Sequence, residues 1–205
     1  MTGPAMGQKQ LRGLLQTLSN RLAARGESAT LFIVGGAAMA LAYDGARTTR
    51  DIDAVFEPSQ AVREIAAEIA EESRDGLDLS ADWINDGAKS FMPQVQHQSR
   101  VLLDNPSLRV YVAAPEYLLA MKHHAGRDER DIDDAAQLAV MTGNTTVEKL
   151  NDVLAKHYPA RLLTARDGYM AYRIVDRISA LEPDAQQSTA TATLITPTDY
   201  DGPTR

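Results

Sequence analysis

Asp51 and Asp53 stand two residues apart in Asp51-Ile-Asp-Ala-Val-Phe56, a segment that alternates polar and apolar over its first four positions and halts at Pro58. In a strand, residues i and i+2 face the same way, so both carboxylates project together. Such a pair repels itself unless a cation joins it, and its hard oxygens suit one or two Mg²⁺ ions that also bridge triphosphate oxygens. Upstream, Thr30-Leu-Phe-Ile-Val34 runs into Gly35-Gly36 and then into the helix-forming stretch Ala37 to Tyr43. Glycines without Cβ let the backbone approach a phosphate, and N–H groups at a helix start stabilise its charge. Taken alone, Gly-Gly after an apolar strand is a plain turn. Its company with the acidic strand points to a site for a nucleoside triphosphate.

These side chains need a frame. Leu11, Leu14, Leu15, Leu18 and Leu22 recur at helical spacing and predict an opening amphipathic helix that ends near Gly26. Ser59 can cap a helix whose stripe is Val62, Ile65, Ala66, Ile69 and Ala70, with Glu64, Glu68, Glu71 and Glu72 as its solvated face. After Gly76 the text LDLSADWINDG has no clear period, whereas Val101-Leu-Leu103 and Leu108-Arg-Val-Tyr-Val112 predict a hairpin turned by Asp104-Asn-Pro-Ser107. Ala114-Pro115 opens a helix through His124, and helices follow at 128–142, 145–157 and 161–181, the second with a capping box of Thr145 and Glu148. The expected fold class is α+β, a small mixed β-sheet followed by a helical C-terminal bundle. We expect a core with its N-terminal helix over 1–142, a helical annex over 143–182, and a flexible tail over 183–205, whose Ser, Thr, Ala, Pro and Asp cannot repay the entropy of ordering.

Val34-Gly35-Gly36 followed by Asp51-Ile52-Asp53-Ala54 resembles the hG[GS] and DhDh signature of the DNA polymerase beta-like nucleotidyltransferase superfamily. Fourteen residues separate Gly36 from Asp51, and Gly36 stands where Ser is more familiar. Phe32-Ile-Val-Gly-Gly-Ala-Ala-Met39 and Arg47-Thr-Thr-Arg-Asp-Ile-Asp53 are similar to the AbiEii-type toxin nucleotidyltransferases and their uncharacterised relatives, over roughly 31–138. Leu118-Leu-Ala-Met-Lys122 and Arg127-Asp-Glu-Arg-Asp131-Ile-Asp-Asp134 look like the lysine and R-x-K-D-x-x-D motifs of those toxins, with Arg130 in place of the usual Lys.

The resemblance implies a nucleotidyltransferase with two Mg²⁺ ions, Mn²⁺ being an alternative. It implies catalytic roles for Asp51, Asp53, Lys122 and Asp134, and nucleotide contacts from Gly35, Gly36, Thr49, Arg50, Lys122 and Asp131. The metals would sit on Asp51, Asp53 and a third carboxylate, either Asp78 between Leu77 and Leu79 or Asp82 in Asp82-Trp-Ile-Asn-Asp86, and we favour Asp82. The acceptor it implies is a tRNA 3′ end or a protein hydroxyl, the enzyme being the toxin of a pair with an antitoxin partner. Two rivals stay open. One is a small-molecule transferase of the aminoglycoside-modifying kind, and the other is a degenerate nucleotide-binding module in which neither third acid reaches the metals.

Arg47 and Arg50 flank the acidic strand, where they can neutralise triphosphate or RNA backbone charge or simply pair with Asp51 or Asp53. His123 and His124 diverge by about 100° on a helix and are expected at the surface or beside the site rather than on a metal. Trp83, the single tryptophan, reads as a core anchor. With no cysteine among 205 residues, disulfide frames, Cys-ligated zinc, iron–sulfur clusters and cysteine nucleophiles are excluded. A formal charge of -7 gives no reason to expect DNA, and an RNA acceptor would need a concentrated basic face such as Arg47, Arg50, Lys122, Arg127 and Arg130. There is no GxxxxGK[ST], HExxH or CxxC. The longest apolar stretch, Leu31 to Tyr43, is too short to span a bilayer, so we expect a cytoplasmic protein with no membrane partner.

Overall fold

The computed structural model describes residues 3–73, 76–93 and 99–190. The leucine stripe winds into α1 (Gln8–Arg25), buries Leu11, Leu14, Leu15, Leu18 and Leu22, and closes at Gly26 in the left-handed conformation. β1 (Ala29–Ile33) follows, then α2 (Gly35–Ala42), β2 (Ile52–Glu57) and α3 (Ser59–Glu72), whose buried face is the expected stripe. The segment without a period supplies β3 (Ile84–Asn85) and a short 3₁₀ turn, Gly87–Phe91. β4 (Ser99–Asp104) and β5 (Leu108–Ala113) form the expected hairpin, its turn held by Asn105, whose Oδ1 accepts from the N–H groups of Ser107 (3.1 Å) and Leu108 (2.8 Å).

The sheet order is β3-β2-β1-β5-β4. β1 runs antiparallel to β2 and parallel to β5, β2 and β3 are parallel, and β4 and β5 antiparallel, so the sheet is mixed. α1 and α3 pack on each other, and α3 also lies against β2 and β3. The helical half comprises α4 (Pro115–Ala125), α5 (Glu129–Thr142), α6 (Val147–His157) and α7 (Ala165–Ala190), which pack on one another, while α2 links sheet and bundle by touching β2, β5 and α4. This is the expected α+β class. No helix among the described residues is long and apolar enough to cross a membrane.

Local differences have local causes. The two glycines are not a turn ahead of α2 but its first residues. Pro58 rather than Ser59 occupies the position before α3, and no side-chain cap is made there. In α6 the cap is Thr146, whose hydroxyl accepts from the Lys149 N–H, because Thr145 stands one residue too early to reach that donor. The last helix begins at Ala165, after a separate 3₁₀ turn at Ala160–Leu162 that follows Pro159, and its backbone stays helical to Ala190, past the expected end at Leu181. The remainder of the expected tail, 191–205, lies outside the described residues. Trp83 is 1% exposed and donates from Nε1 to the Ala66 carbonyl (2.9 Å), an anchor between β3 and α3.

Candidate active site

β1 and β2 run antiparallel with Ile33 opposite Ala54, and just beyond that pair the Val34 N–H donates to the Asp53 carbonyl (2.9 Å). The register brings the start of α2 against the acidic end of β2. Gly35 has φ +62, and a Cβ there would stand 2.9 Å from Asp53 Oδ2. A Cβ on Gly36 would stand 3.0 Å from Thr49 Oγ1. Both glycines are therefore fixed by close approach, and Gly35 also by a conformation that L residues rarely adopt. The first hydrogen bond of the α2 ladder runs from Ala38 N–H to the Val34 carbonyl (3.3 Å), which leaves the N–H groups of Gly35, Gly36 and Ala37 outside it. Anions favour such a helix start.

Asp51 sits in the bend before β2, and Asp53 is the second residue of that strand. Ile52, Ala54 and Phe56 face the core, so Asp51 and Asp53 share the opposite face as the alternation requires. Burial first, and the Asp51 carboxylate second, push the Asp53 carboxyl up to about 6 against the pull of Lys122 and Arg127. The Asp51 contribution is the repulsion expected of a carboxylate pair lacking a cation, added to the larger effect of burial, and two hard oxygen donors facing one way fit Mg²⁺. Among the described residues no cluster of three or more His, Asp or Glu stands ready to hold a metal, so further ligands would come from phosphate oxygens and water. Thr49 steadies this end of the site: its Oγ1 donates to the Asp51 carbonyl (3.2 Å), and its backbone is bridged to Met6 in both directions (2.7 and 3.0 Å).

The cations facing the carboxylates are set by a second acidic group. Asp134 on α5 is 3% exposed and accepts from Arg47 through both Nε (2.9 Å) and Nη2 (3.0 Å), and from Lys122 Nζ (2.9 Å). Burial works to raise its carboxyl, but the Arg47 hydrogen bond and the Lys122 charge outweigh it and hold the group below its ordinary value. Arg47 therefore pairs with Asp134, not with Asp51 or Asp53. Lys122 also pairs with Asp131, whose other oxygen accepts from the Arg127 N–H (3.0 Å). Arg130 donates to the Thr48 carbonyl (3.0 Å). Asp128 caps α5 by accepting from the Asp131 N–H (3.0 Å).

A cleft of about 790 Å³ opens over these groups, the size of a nucleotide site. Gly35, Gly36, Thr49, Arg50, Asp51, Asp53, Asp82, Lys122 and Asp131 all line it, and so do Arg47, Arg127 and Arg130. Asp134 does not line it and acts from behind, through Arg47 and Lys122. Arg50 is exposed at the cleft, with no ion pair or hydrogen bond from its side chain among the described residues. Of the two candidates for a third carboxylate, Asp82 lies in the cleft wall, where it accepts from Ser80 Oγ. Asp78 lies outside the cleft, exposed, in a turn at φ +47 where its N–H donates to the Ser73 carbonyl (3.0 Å).

Sequence reasoning missed Asn85. In the parallel β2–β3 pairing Asn85 stands directly beside Asp53. Its Nδ2 reaches Asp51 Oδ2 (3.4 Å) while its Oδ1 accepts from the Gly87 N–H (2.8 Å), tying the carboxylates to the 3₁₀ turn. Only the strand pairing, invisible in a segment without a period, could have found it. The histidines also differ from expectation. His123 is fully buried against the Asp167 carbonyl (2.8 Å), with burial lowering its basicity, and His124 holds Asp167 Oδ1 (2.9 Å) while stacked on Tyr158. Both bind α4 to the start of α7, and neither lines the cleft.

A search of curated proteins finds no match. Among solved structures, the chain is similar to an antigenic nucleotidyltransferase-like protein from Paracoccidioides brasiliensis, with 16% identity over 75% of this chain and 89% of that one and a TM-score of 0.42. A TM-score of that size carries no fold assignment, and the family rests on a different match. The model of a family described as "Nucleotidyltransferase of unknown function (DUF6036)" matches residues 9–172, which takes in the glycine helix, both carboxylates and the Lys122 to Asp134 segment. The chain belongs to this nucleotidyltransferase family.

Proposed function

We propose that the protein is a Mg²⁺-dependent nucleotidyltransferase that moves an NMP, or a short tract of NMPs, from an NTP to a tRNA acceptor, as the toxin of a toxin–antitoxin pair in the cytoplasm. Within its superfamily we assign it to the neighbourhood of the AbiEii-type toxins. The observation that carries this reading is the meeting in one cleft of the Asp51 and Asp53 pair, the free N–H groups of a glycine helix start, and the Arg47 and Lys122 cations. Acidic and basic groups that close together suit a ligand that is itself a polyanion with a metal.

Asp51 and Asp53 would hold the metal, and of the two further acids Asp82 is our choice as a third ligand because it lines the same cleft. When bound, Mg²⁺ neutralises triphosphate charge and polarises the phosphoryl oxygens. The α2 amides of Gly35 and Gly36, with Arg47 and Lys122, hold the phosphates, and Asp134 and Asp131 keep the two cations oriented before the ligand arrives. The acceptor oxygen forms its bond to the α-phosphorus as the bond to the β-phosphate oxygen breaks and pyrophosphate leaves. The acceptor's proton passes to a carboxylate of the cleft, for which Asp82 is our choice. Arg50, Arg127 and Arg130 supply a local basic rim on a chain of net charge -7, which supports a polyanionic acceptor over a cationic small molecule.

One observation favours a second reading. The residue beside Asp53 on the neighbouring strand is the amide Asn85, not an acid, as suits a module that binds a nucleotide without transferring it. Incubation with α-³²P-NTP, Mg²⁺ and total tRNA separates the cases. Label on tRNA with the wild type but not with Asp51→Ala, Asp53→Ala supports the transferase. Label on protein moves the acceptor, and tight NTP binding without any label supports the module.

A further inference from the structure

The cleft lining is of two kinds. Its charged residues are those already described, and its apolar ones are Ala88, Phe91, Leu118, Met121 and Ala125, of which Phe91 is 50% exposed. A half-exposed phenylalanine in the wall of a charged cleft leaves its apolar surface in water unless something flat covers it.

The main chain beneath this ring is held from the helical half. Tyr158 Oη donates to the Phe91 carbonyl (2.6 Å), and Tyr117 Oη donates to the Pro93 carbonyl (3.3 Å). At its other end the 3₁₀ turn is fixed by Asn85, which accepts from the Gly87 N–H and reaches Asp51. The turn packs against β2, the strand that carries Asp53 and directly follows Asp51. The ring is thus presented on a braced segment at a set place relative to Asp51 and Asp53, and among the described residues it stays half-exposed.

Resting on the nucleotide reading above, we propose that Phe91 is the stacking platform for the nucleobase, with Ala88 and Met121 completing an apolar base subsite. A nucleotide carries both kinds of surface that this lining offers, a polyanion and a flat π-system, and stacking on an aromatic ring holds any base by its face. None of the apolar wall side chains carries a hydrogen-bonding group to read the base edge. The subsite therefore selects by stacking area: ATP and GTP bind alike, and both bind more tightly than CTP and UTP.

The test compares Mg·ATP with inorganic tripolyphosphate, which has the charge without the base, by calorimetry on wild type, Phe91→Ala and Phe91→Trp. We expect Phe91→Ala to bind Mg·ATP roughly tenfold or more weakly while tripolyphosphate affinity stays within about twofold, and Phe91→Trp to retain the ATP affinity. Fluorescence of the introduced tryptophan should be quenched by ATP and not by tripolyphosphate. Unchanged ATP binding by Phe91→Ala, or equal loss of both ligands, overturns the stacking assignment. Wild type that binds neither ligand overturns the nucleotide reading itself, and this subsite with it.

Discussion

Replacing Asp53 by Asn should stabilise the metal-free protein, an unusual result for an active-site substitution. The Asp53 carboxyl stands at about 6, raised by burial and then by Asp51. A rise of about two units is worth roughly 3 kcal/mol at about 1.36 kcal/mol per unit. That is a ceiling for a side chain that keeps some contact with solvent, and we expect about 1–3 kcal/mol. Because the folded value lies above the unfolded one, the native state keeps its proton longer. The wild type therefore carries no penalty below the unfolded value, loses stability as pH rises toward 6, and bears the full penalty above it. A neutral amide escapes this. Urea denaturation in EDTA near pH 7.5 should give Asp53→Asn the higher midpoint, with the advantage falling to about half near pH 5 and almost vanishing near pH 4. Added Mg²⁺ should raise the wild type and leave the variant unmoved. A variant no more stable than wild type at pH 7.5 in EDTA would refute the claim that burial and the neighbouring Asp51 make the Asp53 charge costly in the metal-free protein.

Three further substitutions probe the surrounding parts. Asp134→Asn removes the buried charge shared by Arg47 and Lys122 and puts a donor in place of one acceptor oxygen, and should cost about 3 kcal/mol in chemical denaturation while also weakening NTP binding in calorimetry. Gly35→Ala places a methyl group 2.9 Å from Asp53 Oδ2 at φ +62; it should lower stability by about 1–2 kcal/mol and abolish most of the Mg²⁺-dependent rise in melting temperature. Asn85→Asp exchanges a donor to Asp51 for a third charge. The metal-free protein should melt lower near pH 7.5 than wild type, and Mn²⁺ or Mg²⁺ should raise its melting temperature by more than it raises that of the wild type.

Much of the frame was legible because it is written in periods. The leucines of α1, the stripe of α3 and the alternation of β2 each follow from one repeat of spacing, and the core sits where those repeats put it. Gly35 and Gly36 were legible as backbone that needs close approach, but the expected neighbour was a phosphate at a turn, whereas in the fold they open α2 and stand against Asp53 and Thr49. What stayed hidden depends on pairing between distant segments. Nothing local distinguishes Asp134 from Asp131 or Asp133, yet only Asp134 turns inward to Arg47, a residue 87 positions away. Asn85 acquires its place from two residues of parallel pairing in a segment without periodicity. Adjacent His123 and His124 both turn to Asp167, a partner 44 and 43 positions along the chain.

The central claim is transfer of a nucleotidyl group by the Asp51 and Asp53 cleft. The most direct measurement supplies ATP labelled at either the α- or the γ-phosphate, with Mg²⁺ and total tRNA, to the wild type and to Asp51→Asn, Asp53→Asn. We expect covalent label from the α-position only, with pyrophosphate released and the double variant silent. Label from the γ-position, or α-label that persists in the double variant, would contradict it.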